Sequence, residues 1–483
     1  MYYHHFVISY KNQIHSYTKL SSIKFYISLI LITLLFFTCS SETRYEQIIN
    51  RGKLVAITGY NAYSYFIYKG EPMGFEYELV KKLSEHLNVQ LELNVINDIE
   101  EMMRMIETGK GDLIVFNLTV TKDRLKAIDF THPISSTKQV LVQRKPDNWL
   151  DMKIHQIEKR LIRDPEDLIG KTIVVRSGSA YIQRLNNLSD EIGGDIDIVV
   201  ADPELTIEDL IAQVSSGEID YTVSDDNIAK LNAAFYRNLD VHTAISLKQR
   251  ISWGAPKHSE EFIEAVNHWL DSLKTTADFA VIYKKYFTNR YAYKRRVTSE
   301  FFSNKGGGIS PYDSLIKLYS EELNWDWRLS ASLIYQESQF NPDAKSWAGA
   351  IGLMQLMPRT GLQFGIKKLS DPEENLKAGF DYLEYLDNFW KDTIPDQQER
   401  IKFILASYNI GIGHITDARD LAKKYGANPD TWFDNVEFYL TMKSKPKYYN
   451  DEVVKNGYAR GEETSKYVKD ILERYEHYKQ LID

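Results

Sequence analysis

Hydrophobic positions give this chain four textures. Residues 25–38, FYISLILITLLFFT, form an apolar run without a charge, preceded by Lys19 and Lys24. The run is shorter than the roughly 20 residues a membrane-spanning helix needs. With its positive flank it reads as the apolar core of a secretory leader. From about 46 to 290, short apolar runs alternate with amphipathic stretches. KLVAIT (53–58), LELNVI (91–96), DLIVFNL (112–118), QVLVQR (139–144), KTIVVRS (171–177) and IDIVVA (196–201) have the length and β-branched content of strands. GFEYELVKKLSEHLN (74–88) places Leu79, Leu83 and Leu87 on one helical face, and TIEDLIAQVSSG and EEFIEAVNHWLDSLK predict further helices. Strands alternating with helices predict an α/β fold with largely parallel sheets, and the span is long enough for two lobes.

The pattern changes near Phe287. NRYAYKRRVTSEFFSNKGGGISP (289–311) carries a basic cluster and three consecutive glycines, Gly306, Gly307 and Gly308, which predicts a linker over 291–311. Beyond it the period is helical. DPEENLKAGFDYLEYLDNFW offers Asp371 as N-cap and Pro372 at the first helical position, with Leu376, Phe380, Leu383, Leu386 and Trp390 along one face. QERIKFILASYN and ETSKYVKDILERYEHYKQLI carry similar stripes.

Composition narrows the class. A net charge of −8 argues against a nucleic-acid partner. One cysteine excludes a zinc-type cluster and an internal disulfide. That residue, Cys39, ends the apolar run in FFTCSSE, which resembles a lipobox whose cysteine is lipidated and becomes the mature N-terminus. Phe36 and Thr38 stand where Leu and Gly or Ala are usual. An uncleaved signal anchor and a plain leader are the alternatives.

The densest candidate chemistry lies at 329–360. In LSASLIYQESQF, Glu337 falls four residues after Leu333 and three after Ile334, on one helical face. A carboxyl there either reaches solvent at a boundary or is held protonated by its surroundings. A protonated acid can donate to a leaving oxygen, as glycosidic cleavage requires. ESQFNPDAKSWAGAIGLMQLMPRTG, followed in order by NLKAGFDYL (375–383), ASYNIG (406–411) and ETSKYV (463–468), resembles the soluble lytic transglycosylase family of bacterial cell-wall enzymes. The resemblance covers most of 311–483. It implies a helical, lysozyme-like fold that cleaves the β-1,4 bond between N-acetylmuramic acid and N-acetylglucosamine in murein, leaving 1,6-anhydromuramic ends without water. It implies Glu337 as the single acid/base, Ser346 at the muramyl acetamido group, and Gln355 and Met357 along the saccharide groove. Tyr408 would lie near the catalytic carboxyl and Tyr467 on the far wall. No cofactor and no metal are implied. The substrate's C6 hydroxyl can serve as nucleophile, so no second carboxylate is needed, and Asp343 in its NPD sequence reads as a turn former.

The earlier domain has a resemblance of its own. GFEYELVKKLSEHLN, GKGDLIVFNLTVTKDRLKAIDFTHP, DLIGKTIVVRSGSAYIQRL and GEIDYTVSDDNIAKL are similar, in order, to periplasmic solute-binding proteins of the polar amino-acid type, whose two lobes close on a ligand about a hinge. This implies Arg124 on a ligand α-carboxylate, Asp225 on its α-amino group, and Tyr63, Thr119 and Ser179 at other contacts. Phe116, Asn117 and Ala180 depart from that pattern, so the pocket takes something other than a free amino acid, or nothing.

The expected protein is multidomain. A leader (1–39) precedes an N-terminal two-lobed α/β periplasmic-binding-protein-like domain (40–290), the linker, and a C-terminal all-α lysozyme-like domain (312–483). The pairing resembles membrane-bound lytic transglycosylases with a regulatory first domain. It implies peptidoglycan as substrate, an amino acid or murein peptide as small ligand, and a lipid anchor on the periplasmic side, with the outer membrane expected. The competing expectations are a non-catalytic murein-docking lipoprotein that binds amino acids or peptides, and a transport receptor.

Overall fold

The computed structural model describes residues 42–303, 308–366 and 368–482; the leader, Cys39, Gly306 and Gly307 lie outside the described residues. The first lobe is built on a sheet of order Gln90–Val95, Lys53–Thr58, Leu113–Thr119, Gln249–Pro256, Ile128–Phe130, with Ser135–Thr137 also pairing Gln249–Pro256. The second lobe has the order Asp197–Val200, Thr172–Val175, Tyr221–Asp225, Gln139–Arg144, Leu239–Asp240. The expected parallel pairing is present for Lys53–Thr58 against both neighbours and for Thr172–Val175 against both of its own. Gln139–Arg144 and Gln249–Pro256 run antiparallel to Tyr221–Asp225 and Leu113–Thr119. Each is the first long strand after the chain changes lobes. It enters its sheet at the cleft, where the parallel strands end, so its direction is reversed.

The segment expected as a linker is partly structure. Arg290–Val297 is a helix with Tyr293, Arg296 and Val297 buried against the first domain. The Arg296 guanidinium lies 5.5 Å from the Phe66 ring and 5.4 Å from the Tyr286 ring. Aromatic faces hold this charge, so the first domain extends past residue 290.

The C-terminal domain packs Asp313–Glu322, Trp327–Ser338, Pro372–Trp390, Gln397–Ile410, Ile412–Lys424 and Gly461–Leu481 around a core that includes Leu333, Ile334, Leu376, Leu383, Phe403, Val468 and Ile471, all fully buried. Asp371 caps its helix as expected, accepting from the Glu373 and Glu374 amides. The last helix serves both domains. Val468 and Ile471 fill the catalytic-domain core, while Tyr478 donates to the Gly70 carbonyl at 2.6 Å. The His477 ring nitrogens meet Tyr65 Oη at 2.7 Å and Tyr77 Oη at 3.3 Å. Gln480 pairs with the Val95 amide and Leu93 carbonyl of the edge strand Gln90–Val95, covering backbone groups that would otherwise be open to another strand. Among the described residues, no helix is long and apolar enough to cross a membrane.

Candidate active site and ligand cleft

Glu337 sits in the last turn of Trp327–Ser338. That helix starts at Asp326, whose side chain accepts from the Arg328 amide, and ends on Gln339 at φ 52°, with Phe340 also left-handed. Small side chains on its inner face let neighbours approach. Ser330 accepts from Ser320 at 2.8 Å, and Ser332 donates to the Ile471 carbonyl at 2.7 Å, drawing in the last helix. Glu337 itself is half-buried, and desolvation pushes its carboxyl up to about 7. A hydrogen bond from the Tyr467 hydroxyl to Oε1 partly offsets that rise.

Tyr467 reaches this position from 130 residues away. The two motifs that carry Tyr408 and Tyr467 are tied by Thr464, which donates to Asn409 Oδ1 at 2.7 Å. Tyr467 follows Thr464 by one helical turn and therefore points the same way. Tyr408 lies close enough to Glu337 to feel its charge, and its hydroxyl donates to the Met354 carbonyl at 2.6 Å.

The loop 344–356 forms a wall beside these groups. The Ser346 hydroxyl accepts from the Ala350 amide at 3.0 Å, closing a tight turn. Gln355, at φ 47°, donates its side-chain amide to the Ala344 and Gly352 carbonyls, so this amide braces the loop rather than standing free in a groove. Met357 is partly exposed at the start of Pro358–Gln363. Asp343 is exposed, and its amide is bound by Asn341 in the turn expected from NPD.

A residue not singled out from sequence, Asn375, anchors the loop. It is fully buried, accepts from the Met354 amide at 2.8 Å and donates to the Ile351 and Leu369 carbonyls. A Cβ on Gly352, at φ 85°, would lie 2.4 Å from Asn375 Nδ2, which explains the glycine before Leu-Met-Gln. The available signal was an amide inside a helical stripe of apolar residues.

In the first domain the five expected cleft residues surround one cavity of about 30 Å³, together with Phe116, Asn117, Arg176 and Tyr181. Arg124 donates to the Thr119 carbonyl of its own lobe and the Gly178 carbonyl of the other, both at 2.9 Å; desolvation lowers its pKa to about 10, leaving it charged at neutral pH. Burial pushes Asp225 up to about 7, with a partly offsetting hydrogen bond of 2.6 Å from Asn117 Nδ2 across the cleft. Tyr63 is buried in the cavity wall, and the Ser179 hydroxyl donates to the Arg176 carbonyl. Arg176 had no signal in sequence beyond its place at a strand end. Among the described residues, no cluster of three or more His, Cys, Asp or Glu side chains is placed to hold a metal ion.

Comparison with known proteins places both halves. The family of bacterial extracellular solute-binding proteins, family 3, matches residues 54–289, and the transglycosylase SLT domain matches residues 314–431. Solved structures similar to the first domain include holo ArgBP from T. maritima, at 23% identity over 50% of this chain and 98% of that one, with a TM-score of 0.40. Whole-length relatives carry both domains. Membrane-bound lytic murein transglycosylase F of Desulfosudis oleivorans is 35% identical over 434 residues, 90% of this chain and 91% of that protein. Its namesake in Saccharophagus degradans is 31% identical over 89% of this chain and 82% of that protein. With identity at this level sustained across both domains, the chain belongs to the membrane-bound lytic murein transglycosylase F family.

Proposed function

We infer that this protein is a peptidoglycan lytic transglycosylase and that Glu337 is its single acid/base. The observation that carries the assignment of Glu337 is a half-buried carboxyl at the end of an apolar helix face, bound at Oε1 by the Tyr467 hydroxyl; desolvation there raises its pKa to about 7. Such a group is protonated often enough to give a proton and, once ionised, basic enough to take one back. Glu337 protonates the glycosidic oxygen between N-acetylmuramic acid and N-acetylglucosamine as the C1–O bond breaks. The muramyl acetamido oxygen stabilises the electron-poor C1. The Glu337 carboxylate then removes the C6 hydroxyl proton, and the C6 oxygen closes on C1 to leave a 1,6-anhydromuramic end. Tyr467 stabilises the carboxylate between the steps. Ser346, with its oxygen engaged by the Ala350 amide, can offer its hydrogen to the acetamido carbonyl. Met357 and the Gln355-braced loop border the saccharide.

Glu337→Gln keeps the shape and removes proton transfer, so murein cleavage should fall by about 10²–10⁴-fold while murein binding persists. Wild-type release of anhydromuropeptides by the variant, measured by mass spectrometry, would sink the assignment. A protein that only docks on murein has no use for a desolvated acid.

The first domain is assigned to ligand binding through Arg124 and Asp225, with closure of the lobes modulating the murein site. The last helix supports this, since it touches the first domain at His477 and Glu337 at Tyr467. Murein cleavage assayed with and without a binder, in wild type and Arg124→Ala, tests it; an unchanged rate rejects regulation. The protein is assigned to the periplasm, tethered at the outer membrane by lipid on Cys39. Persistence of palmitate label in Cys39→Ala would reject the lipid assignment.

A further inference from the structure

Arg176 is absent from the ligand contacts assigned above, yet it lines the cleft and is only 4% exposed. It leaves the end of strand Thr172–Val175 in the second lobe, and its Nη2 donates to the backbone and side-chain oxygens of Asn97 in the first, both at 2.9 Å. Its guanidinium sits 5.2 Å from the centroid of Phe116, a residue that departs from the amino-acid-binding pattern. Both of its hydrogen-bond acceptors are neutral, and its buried Nε has no partner. Across the same cavity, Asp225 is 2% exposed; Asn117 donates to its Oδ2, the Tyr181 hydroxyl lies beside the carboxyl, and Oδ1 makes no hydrogen bond of good geometry. On opposite sides of one cleft, Arg176 Nε and Asp225 Oδ1 thus have hydrogen-bonding capacity left for a ligand.

Charge sets what those groups are. The cleft lining holds two guanidinium groups, Arg124 and Arg176, and one carboxyl, Asp225. Glu208 feels the Arg176 charge from the neighbouring cavity, where its Oε1 accepts from the Ala62 amide. Within the lining itself the two guanidinium groups outnumber the one carboxyl, Glu208 standing behind it as the further acid that feels Arg176. A neutral α-amino acid leaves that excess in the lining uncompensated in a desolvated site, and a basic one adds to it, both unfavourable. An α-amino acid with a second acidic group brings one net negative charge to meet it.

We propose that the first-domain cleft is selective for a dicarboxylic α-amino acid, with Arg176 binding the second carboxylate. The proposal rests on the reading that Arg124 and Asp225 take the α-carboxylate and α-ammonium. The present cavity of about 30 Å³ is too small for such a ligand, which enters only when the lobes separate. The second carboxylate then replaces the Asn97 oxygens on Arg176. The ammonium donates to Asp225, adding to the Asn117 and Tyr181 groups already beside that carboxyl. Phe116 packs against the ligand's methylene groups.

Calorimetric titration of the purified protein with L-glutamate, D-glutamate, L-glutamine and L-arginine tests this. The two glutamate arms separate a protein-type source from a murein-type one. One charge-assisted hydrogen bond corresponds to roughly 10- to 100-fold in Kd, so at least one glutamate should bind about that much more tightly than glutamine. Arg176→Met should erase the difference between glutamate and glutamine. Arg176→Lys, which keeps the charge, should retain part of it and guards against a folding defect in Met. Glutamine or arginine binding as tightly as both glutamates, or a preference that survives Arg176→Met, overturns the proposal while the clamp by Arg124 and Asp225 stands. No heat from any of the four ligands overturns the clamp itself, and with it this proposal. Arg124→Met should abolish binding of every ligand.

Discussion

Removing the Tyr467 hydroxyl should move the pH profile of murein cleavage in a direction fixed by the geometry. Tyr467 donates to Glu337 Oε1 and stabilises the charged carboxylate, opposing the desolvation that raises the pKa to about 7. In Tyr467→Phe the ring still fills its buried site, but the donor is gone. A hydrogen bond to an ionised group contributes about 1.5–3 kcal/mol, and about 1.36 kcal/mol corresponds to one pKa unit. Tyr467 can also donate to the carbonyl oxygen of the neutral acid, so the low end applies and the pKa should rise by about one unit. The free enzyme must hold Glu337 protonated to attack the glycosidic oxygen. The alkaline limb of kcat/KM should therefore move up from about 7 by about one pH unit. The assay is the initial rate of anhydromuropeptide release from sacculi across pH, with thermal melts to verify folding. A limb that stays in place or moves down would refute the assignment of that limb to Glu337 and of Tyr467 as its donor.

Three further outcomes follow from buried groups. The Glu337 carboxyl is raised from 4.5 to about 7, so the stability of its neutral form is fully present below about 4.5 and lost as the pH rises through about 7; Glu337→Gln should therefore melt higher than wild type at about pH 8 and close to it at about pH 4.5. Burial depresses His477 from 6.5 to about 3, so stability present above about 6.5 is lost as the pH falls toward about 3; deuterium exchange in the hairpin 66–73 should rise over that window, and less in His477→Gln. Asn375→Ala leaves the Met354 amide and two buried carbonyls without partners, for an expected loss of about 2–4 kcal/mol in urea unfolding together with lower murein cleavage; unfolding free energy unchanged within error would show that the loop 344–356 does not depend on this anchor.

Much of the architecture was legible along the chain. The strand KLVAIT and the helices Phe75–Leu87 and Pro372–Trp390 occur where apolar period and capping residues predict them, because these signals act over a few neighbouring residues. The place of Glu337 on the apolar face of its helix was legible for the same reason: that conflict is local. The direction of Gln139–Arg144 and Gln249–Pro256 was not, since it depends on which lobe the chain has just left.

What the tertiary structure alone decided is where each polar group finds its partner. The resemblance implied Gln355 along the saccharide groove; only the fold shows that its side-chain amide is taken by two carbonyls. The run around Arg296 read as a linker until the rings of Phe66 and Tyr286 were placed beneath it. Tyr467, Asn375 and Arg176 gained their roles from groups on other elements, at separations no local pattern spans. By itself the sequence determined which residues would be costly to bury; only packing decided which were buried, because desolvation depends on everything that surrounds a group and not on its neighbours along the chain.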